Sequence, residues 1–499
     1  MNEYILSIDQ GTTGTRAIIF NKNGLEVSNA YLEHQQIFPN EGWVEHNPEE
    51  ILENTLKVIK AAVNKEKLDF SQIAAIGITN QRETIVAWNK ENGKPLHNAI
   101  VWQCRRTANF CEELRKNYSD LFRKKTGLVL DPYFSGTKIR WLIDNVPKVK
   151  DMLKDGKLHI GTIDSWLIYN LTGSHITDYS NSSRTLLMNI QKGTWDDELI
   201  EIIGLPKDII SALPDIKPSS DKNTYGETKK ELFTVSIPVS GAAGDQQAAL
   251  FGQTCFQPGS VKNTYGTGNF LLQNTGKDIV FSKNGLLSTV AWKIDNNQTT
   301  YALEGSVFIT GALLNWLKNK IGILPDVKQT TDIMNRTPST EGIYLVPAFV
   351  GLGAPYWDSF ARGIIIGLTQ ATTRDHIIRA GLESIVYQSQ DVIDAMKKDS
   401  GKDIPVLRVD GGVTNCDPLL QFQSDISQTI VQRPLVKETT ALGAAYLAGL
   451  AVEYWENLKD IEKNFVIDIE FTPHLDADKK DKMLEKWHKA VKRSKNWIK

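Results

Sequence analysis

The feature that most limits how this chain can fold is a strand, glycine turn, strand unit that occurs twice. The first runs from the apolar stretch 5–8 through Asp9-Gln-Gly-Thr-Thr-Gly-Thr15 into 16–20. The second runs from 261–264 through Tyr265-Gly-Thr-Gly268 into 269–273. Short β-prone runs around a small-residue turn predict hairpins, and their recurrence predicts two halves that echo one another. The Pro/Gly punctuation Cys255-Phe-Gln-Pro-Gly-Ser260 separates a helical run, 246–251, from the second unit. It divides the chain into 1–254 and 255–499. Between the hairpins lie helical patterns, such as 376–397 with Ile378, Leu382, Ile385, Ile393 and Met396 on one face. Alternating strands and helices predict α/β domains. With 499 residues, 41% of them hydrophobic, the chain can fill two or more such cores.

Charge narrows the partners. Lys+Arg 57 against Asp+Glu 59 leaves no field that favours nucleic acid or an anionic membrane. The lysine-rich end, 476–499, reads as a solvated surface helix with Leu484, Trp487 and Val491 as its apolar stripe. Cys104, Cys111, Cys255 and Cys416 are scattered without CxxC spacing, which suits a reducing compartment. The N-terminus enters a strand with no leader pattern before it. The longest nearly apolar stretch, 441–452, is too short to span a bilayer, so a cytoplasmic protein without membrane partners is expected.

A nucleotide phosphate needs backbone N–H groups that approach it closely, which glycine permits. The 9–16 loop supplies this along with threonine hydroxyls and Arg16, and it begins with Asp9, an acid suited to holding Mg²⁺ through water. Alone it could be a plain hairpin. Three further turns follow apolar runs: Tyr265-Gly266-Thr267-Gly268, Asp410-Gly411-Gly412-Val413-Thr414, and Gly241-Ala-Ala-Gly244-Asp245. Several such turns point to phosphate handling. The chain lacks GxxxxGK[ST], the protein-kinase HRD and DFG elements, and GxGxxG, so a different cradle is implied.

The loop series resembles the FGGY family of sugar and polyol kinases across nearly the whole chain. Tyr133-Phe-Ser-Gly-Thr-Lys138-Ile-Arg-Trp141 resembles one family signature. The stretch from Gly363-Ile-Ile-Ile-Gly367-Leu through His376 to Glu383 resembles the other. Gly77-Ile-Thr-Asn-Gln-Arg82-Glu83-Thr, Val101-Trp-Gln-Cys-Arg-Arg106, Gly244-Asp-Gln-Gln-Ala-Ala-Leu-Phe-Gly252 and Asn263-Thr-Tyr-Gly-Thr-Gly268 resemble the members that phosphorylate glycerol. The resemblance implies two actin-like, ribonuclease H-like domains with ATP and substrate in the cleft between them, Mg²⁺ as cofactor, and a homo-oligomer, dimer or tetramer. It places Arg82, Glu83, Trp102, Tyr133, Asp245, Gln246 and Phe270 on glycerol, with Asp245 as general base and, together with Asp9, near the metal. It places Thr12, Thr13, Gly14, Arg16, Gly266, Thr267, Gly311, Asn315, Gly411 and Gly412 around ATP. The family usually carries Asn four residues after the second glycine of the 410–414 turn. Here Cys416 holds that place and Asn415 precedes it; Asn415 is the assigned contact, with Cys416 as the alternative. The stretch Thr228-Lys-Lys-Glu-Leu-Phe-Thr234 lacks the glycine-rich, arginine-containing loop linked in bacterial members to sugar-bisphosphate inhibition.

The residue chemistry agrees with a polyol. Glycerol offers only hydroxyls on three carbons, and Arg82, Glu83, Asp245 and Gln246 supply both donors and acceptors for them. Each also has a plainer role: Arg82-Glu83 as a surface ion pair, Asp245 as a helix N-cap, Trp102 and Phe270 as core. The strand 73–78 ends just before Arg82, a position that favours a ligand cleft. Two alternatives stay open, a kinase of the same family acting on a pentulose or longer polyol, and a non-catalytic ATP-binding switch on the same fold.

Overall fold

The computed structural model describes residues 3–223 and 225–498. Two sheets dominate. The first has the order Val239–Gly244, Ile73–Asn80, Tyr4–Gln10, Gly14–Phe20, Glu26–Glu33. Its last three strands form an antiparallel meander and its first two join in parallel. The second sheet repeats the plan: Thr300–Val307, Asn269–Gly276 and Val261–Tyr265 are antiparallel, and Val406–Asp410 and Ile430–Pro434 continue in parallel. Leu287–Trp292 and Ile467–Phe471 are added at its two edges. The two hairpins expected from sequence thus nucleate two equivalent sheets. Their central strands are buried on both faces, which is why they read as near-continuous apolar runs.

The 376–397 pattern is part of one long helix, Arg374–Ser400, whose stripe residues Ile378, Leu382, Ile385, Ile393 and Met396 are all fully buried. The C-terminal helix, Ala477–Ser494, packs through Leu484, Trp487 and Val491. It is also tied by polar contacts: Asp391, buried on the long helix, accepts from Trp487 Nε1 at 2.8 Å, from His488 Nε2 at 2.9 Å and from the Tyr356 hydroxyl at 2.9 Å. Among the described residues no helix is long and apolar enough to cross a membrane.

One expectation is corrected. Gly241 to Gly244 do not form a turn after a strand, because the strand itself is Val239–Gly244. The helix Thr439–Ala451 lies directly on this strand, on Ile73–Asn80 and on the helix Asp245–Gly252. A Cβ on Gly241 would meet the backbone of Ala448, on Gly77 that of Ala444, on Gly252 that of Thr439, and on Gly443 that of Ala248. These glycines permit main-chain contact between elements from opposite halves of the chain rather than phosphate binding.

Candidate active site

The two hairpin turns open toward one another. Gly11 N–H donates to Gly14 C=O at 2.9 Å in the first, and Gly266 N–H donates to Gly268 C=O at 2.8 Å in the second. Thr12 on one side and Thr264, Gly266, Thr267 and Gly268 on the other line a cavity of about 170 Å³. Its remaining walls are Arg82, Glu83, Trp102, Tyr133, Asp245, Gln246 and Phe270, so all seven residues assigned to the polyol meet there. Trp102 and Tyr133 pack edge to face with centroids 5.5 Å apart, and the Arg82 guanidinium lies 5.8 Å from the centre of the Phe270 ring. The core alternative for these rings therefore gives way to a wall role. Trp102 Nε1 donates to Thr12 Oγ1 at 2.9 Å, linking the aromatic wall to the first turn.

The polar floor is more constrained than a surface ion pair. Arg82 and Glu83 are 3% and 1% exposed, and their mutual approach is long, 3.9 Å. Each has a better partner. Arg82 forks onto Glu304, Nη1 to Oε2 at 2.5 Å and Nη2 to Oε1 at 3.1 Å, while its Nε lies 3.1 Å from Asp245 Oδ1. Glu83 Oε1 accepts from Arg184 Nε at 2.6 Å. Such forked, charge-assisted contacts fix orientation as well as energy. Burial pushes Glu304 up, but Arg184 and Arg82 together outweigh it and hold the carboxyl at about 2. Burial also raises Glu83, with Arg184 and Arg82 opposing.

Glu83 has φ +61°, and Thr84 N–H donates to Arg82 C=O at 2.7 Å across it. This tight turn is a strained one for a residue with a side chain, costing roughly 1–3 kcal/mol. The Glu83 carbonyl is gripped in turn by Ser135 Oγ at 3.1 Å and Lys138 Nζ at 3.4 Å, and Lys138 also donates to the Tyr133 carbonyl at 2.6 Å. The helix Ser135–Asn145 thereby holds both Glu83 and Tyr133 by their backbone, and burial lowers Lys138 to about 8.

Asp245 is not an N-cap. Gly244 takes that place and Asp245 is the first helical residue, its Oδ1 accepting from Gln246 N–H at 2.7 Å. No partner is recorded for Oδ2 among the described residues, and the side chain is 31% exposed to the cavity. Gly244 leaves room for the Arg82 stem, which a Cβ would strike at 2.6 Å. Gln246 Oε1 accepts from the buried Lys262 Nζ at 2.5 Å, and that amine also donates to Thr264 Oγ1 at 2.9 Å.

The residues assigned to the nucleotide spread outward from this cavity. Thr13 is exposed beyond Thr12, whereas Gly14 is buried where a Cβ would strike Leu32 and Tyr31. Arg16 forms an ion pair with Glu438. Gly411, at φ +92°, presses on the Tyr265 backbone and so sets the 411–412 turn beside the 265–268 turn. Around Gly412 a Cβ would find nothing within 4 Å. Gly311 begins the helix Gly311–Asn319, but its N–H donates to Gly266 C=O at 3.0 Å and that of Ala312 to Thr267 C=O at 3.1 Å. That helix end is therefore spent on bracing the turn, with Asn315 exposed one turn further on. Asn415 is exposed and accepts from Lys437 Nζ at 2.7 Å, while the Cys416 sulfur is buried against Met334. Of Asn415 and Cys416, Asn415 is the one that presents its side chain to solvent.

Asp9 pairs with Arg16 across the first hairpin. Burial raises its carboxyl to about 7, with Glu438 adding to the rise, Arg16 opposing it and Asp245 adding further. Acids that repel one another around a cleft are the donor set a divalent cation relieves. Among the described residues no three His, Cys, Asp or Glu side chains converge as a direct metal cage.

The N-terminal domain of the FGGY family of carbohydrate kinases matches residues 4–252, and the C-terminal domain of the same family matches residues 261–452. The chain belongs to the FGGY family of carbohydrate kinases. It is 53% identical, over all of both chains, to glycerol kinase 2 of Thermotoga maritima. The crystal structure of Plasmodium falciparum glycerol kinase with ADP superposes with a TM-score of 0.91 at 41% identity, covering 98% of each chain. A ligand-bound xylulose kinase from Lactobacillus acidophilus superposes at 0.85 with 21% identity, covering 98% of this chain and 96% of that one, which speaks for the shared fold alone. The paired sheets are the two actin-like domains of that fold.

Four residues of this FGGY chain escaped the sequence reading: Arg184, Glu304, Lys262 and the structural part of Lys138. Glu304 and Lys262 carried a usable signal, since each is a lone charge in a strand that is otherwise apolar or neutral. Arg184 sits in a short polar stretch, Ser182-Ser183-Arg184-Thr185, with nothing to mark it.

Proposed function

We propose that the chain transfers the γ-phosphoryl group of ATP to a terminal hydroxyl of glycerol, giving sn-glycerol 3-phosphate and ADP. The carrying observation is the small cavity in which Arg82, Glu83, Asp245 and Gln246 converge between Trp102, Tyr133 and Phe270 and which opens on the two hairpin turns. A site built to pair with hydroxyls rejects analogues that lack one, because the unmatched polar group stays buried.

In this reading Arg82 and Glu83 hold two hydroxyls and Asp245 Oδ2 accepts the proton of the third as its oxygen bonds to phosphorus. The bond from that phosphorus to the departing ADP oxygen breaks in line. Phosphoryl transfer is loose, so placement counts for more than the base. Thr12, Thr13, Gly14, Arg16, Gly266 and Thr267 face the phosphates, and Gly311, Asn315, Gly411, Gly412 and Asn415 the rest of the nucleotide. Asp9 and Asp245 would hold Mg²⁺ through its water shell, and the ion would supply neutralisation of the phosphate charge. Residues 1–254 carry the polyol and first phosphate turn, and 255–499 most of the nucleotide contacts. A cytoplasmic homo-oligomer, dimer or tetramer, completes the reading.

Initial rates of ADP release with glycerol, dihydroxyacetone, erythritol and xylulose test this. Glycerol is expected to give the highest kcat/KM; preference for a five-carbon substrate would sink the substrate reading while leaving the family intact.

A further inference from the structure

Two charged residues beneath the cavity take no part in lining it, yet both are fully buried: Arg184 and Glu304. Together with Arg82 and Glu83 they close a neutral set of two cations and two anions. Arg184 Nε reaches Glu83 at 2.6 Å, its Nη2 reaches Glu304 Oε1 at 3.0 Å, and Glu304 completes the fork on Arg82. Arg184 Nη1 is buried and finds no hydrogen-bond partner among the described residues. The set also crosses the molecule. Glu304 belongs to the strand Thr300–Val307 of the second sheet, whereas Arg82 and Glu83 follow the strand Ile73–Asn80 of the first.

Stability alone is a poor account of this arrangement, because well-packed apolar groups of similar size often replace buried ion pairs at no loss. Geometry is the better account. Arg82 and Glu83 both face the cavity, and each is turned toward it by a different member of the hidden pair. A forked carboxylate fixes the plane of the Arg82 guanidinium, and Arg184 fixes one oxygen of Glu83, leaving the other toward the ligand.

We propose that Arg184 and Glu304 are positioning residues for polyol recognition: Glu304 aims Arg82, Arg184 aims Glu83, and the second domain thereby sets hydroxyl geometry in the first. The proposal rests on glycerol being the substrate.

Arg184→Lys, Glu304→Gln and the charge-retaining Glu304→Asp test it in the full chain. Expected are a rise in glycerol KM of about ten- to hundredfold, a roughly tenfold loss of preference for glycerol over propane-1,2-diol, and an ATP KM within about twofold of the unsubstituted chain. A purely structural role would instead lower the melting temperature and leave the glycerol KM and the preference as they were, and that result in folded variants overturns the proposal. Should the first two variants fail to fold, Glu304→Asp, with its charge kept and its reach shortened by one methylene, decides alone by the same readouts. An unsubstituted chain whose ADP release ignores glycerol defeats the substrate reading. A glycerol response that all folded variants retain unaltered defeats the positioning role only.

Discussion

The floor of the cavity and the turns proposed to meet the nucleotide are built on opposite plans. Arg82 is held at once by Glu304, Asp245 and Tyr133, and Glu83 by Arg184, with the Glu83 backbone gripped from the helix Ser135–Asn145. Beyond the cavity Gly412 offers backbone with open space around it, and Asn415 lies on the surface, bonded to Lys437 and to the Gly412 carbonyl. The contrast follows from the ligands proposed for each. Three hydroxyls give little to grip, so their partners must be fixed before binding. A nucleotide brings its own charge and bulk, and needs a wall that lets backbone N–H groups come close.

The strongest way to break this contrast is at Asp245, whose side chain is the most exposed of the floor carboxylates. Asp245→Asn should cut kcat by ~10²–10⁴-fold, with ATP binding by calorimetry retained. Next come the neighbouring glycines. Gly411→Ala forces a side chain into φ +92° against Tyr265 and should destabilise by roughly 1–3 kcal/mol, read as a lower melting temperature. Gly412→Ala should leave the melting temperature within about a degree and raise the ATP KM about tenfold, since the new methyl fills open space on the proposed path of the nucleotide. An unaltered ATP KM would mean that this open backbone is not the nucleotide wall. A smaller effect is expected at the turn's end: Asn415→Ala should raise the ATP KM about threefold, the loss of one ordinary hydrogen bond, while Cys416→Ser should leave it alone.

The smallest effect lies far from the cavity. The hydrogen bond to Asp391 raises His488 above its ordinary 6.5, with burial opposing. A raised histidine adds stability that is full below its ordinary value and lost as pH climbs through the raised one. His488→Gln should therefore lower the melting temperature by on the order of 1 °C near about pH 5.5 and by less near about pH 9. An equal effect at both would show that the contact does not depend on the proton.

The two regions also differed in how far the sequence revealed them. Local signals exposed the hairpins, because small-residue turns between β-prone runs are written within a dozen residues, and the long helix, because its stripe repeats. The cavity lining was legible through the family motifs, which each lie on one short segment. Hidden were the relations across segments: that Arg82 and Glu83 serve different partners, that Arg184 and Glu304 are those partners, and that Gly241 answers to a helix some two hundred residues later. Distant pairing leaves no periodicity in a single chain, and one lone charge in an apolar strand is its faintest trace. Asp245 shows the same limit at short range, since first-turn and N-cap positions differ by a single residue.

The main-chain contact among Gly77, Gly241, Gly252, Gly443 and the helices 245–252 and 439–451 has a mechanical meaning. It is a bearing with almost no clearance: where main chain rests on main chain, no rotamers can re-pack to absorb a misfit. Neither helix can settle closer to what it packs on, because the next atoms it would meet are main chain. A single methyl added there would act as a shim, wedging the helix 439–451 off the strands and helix it rests on.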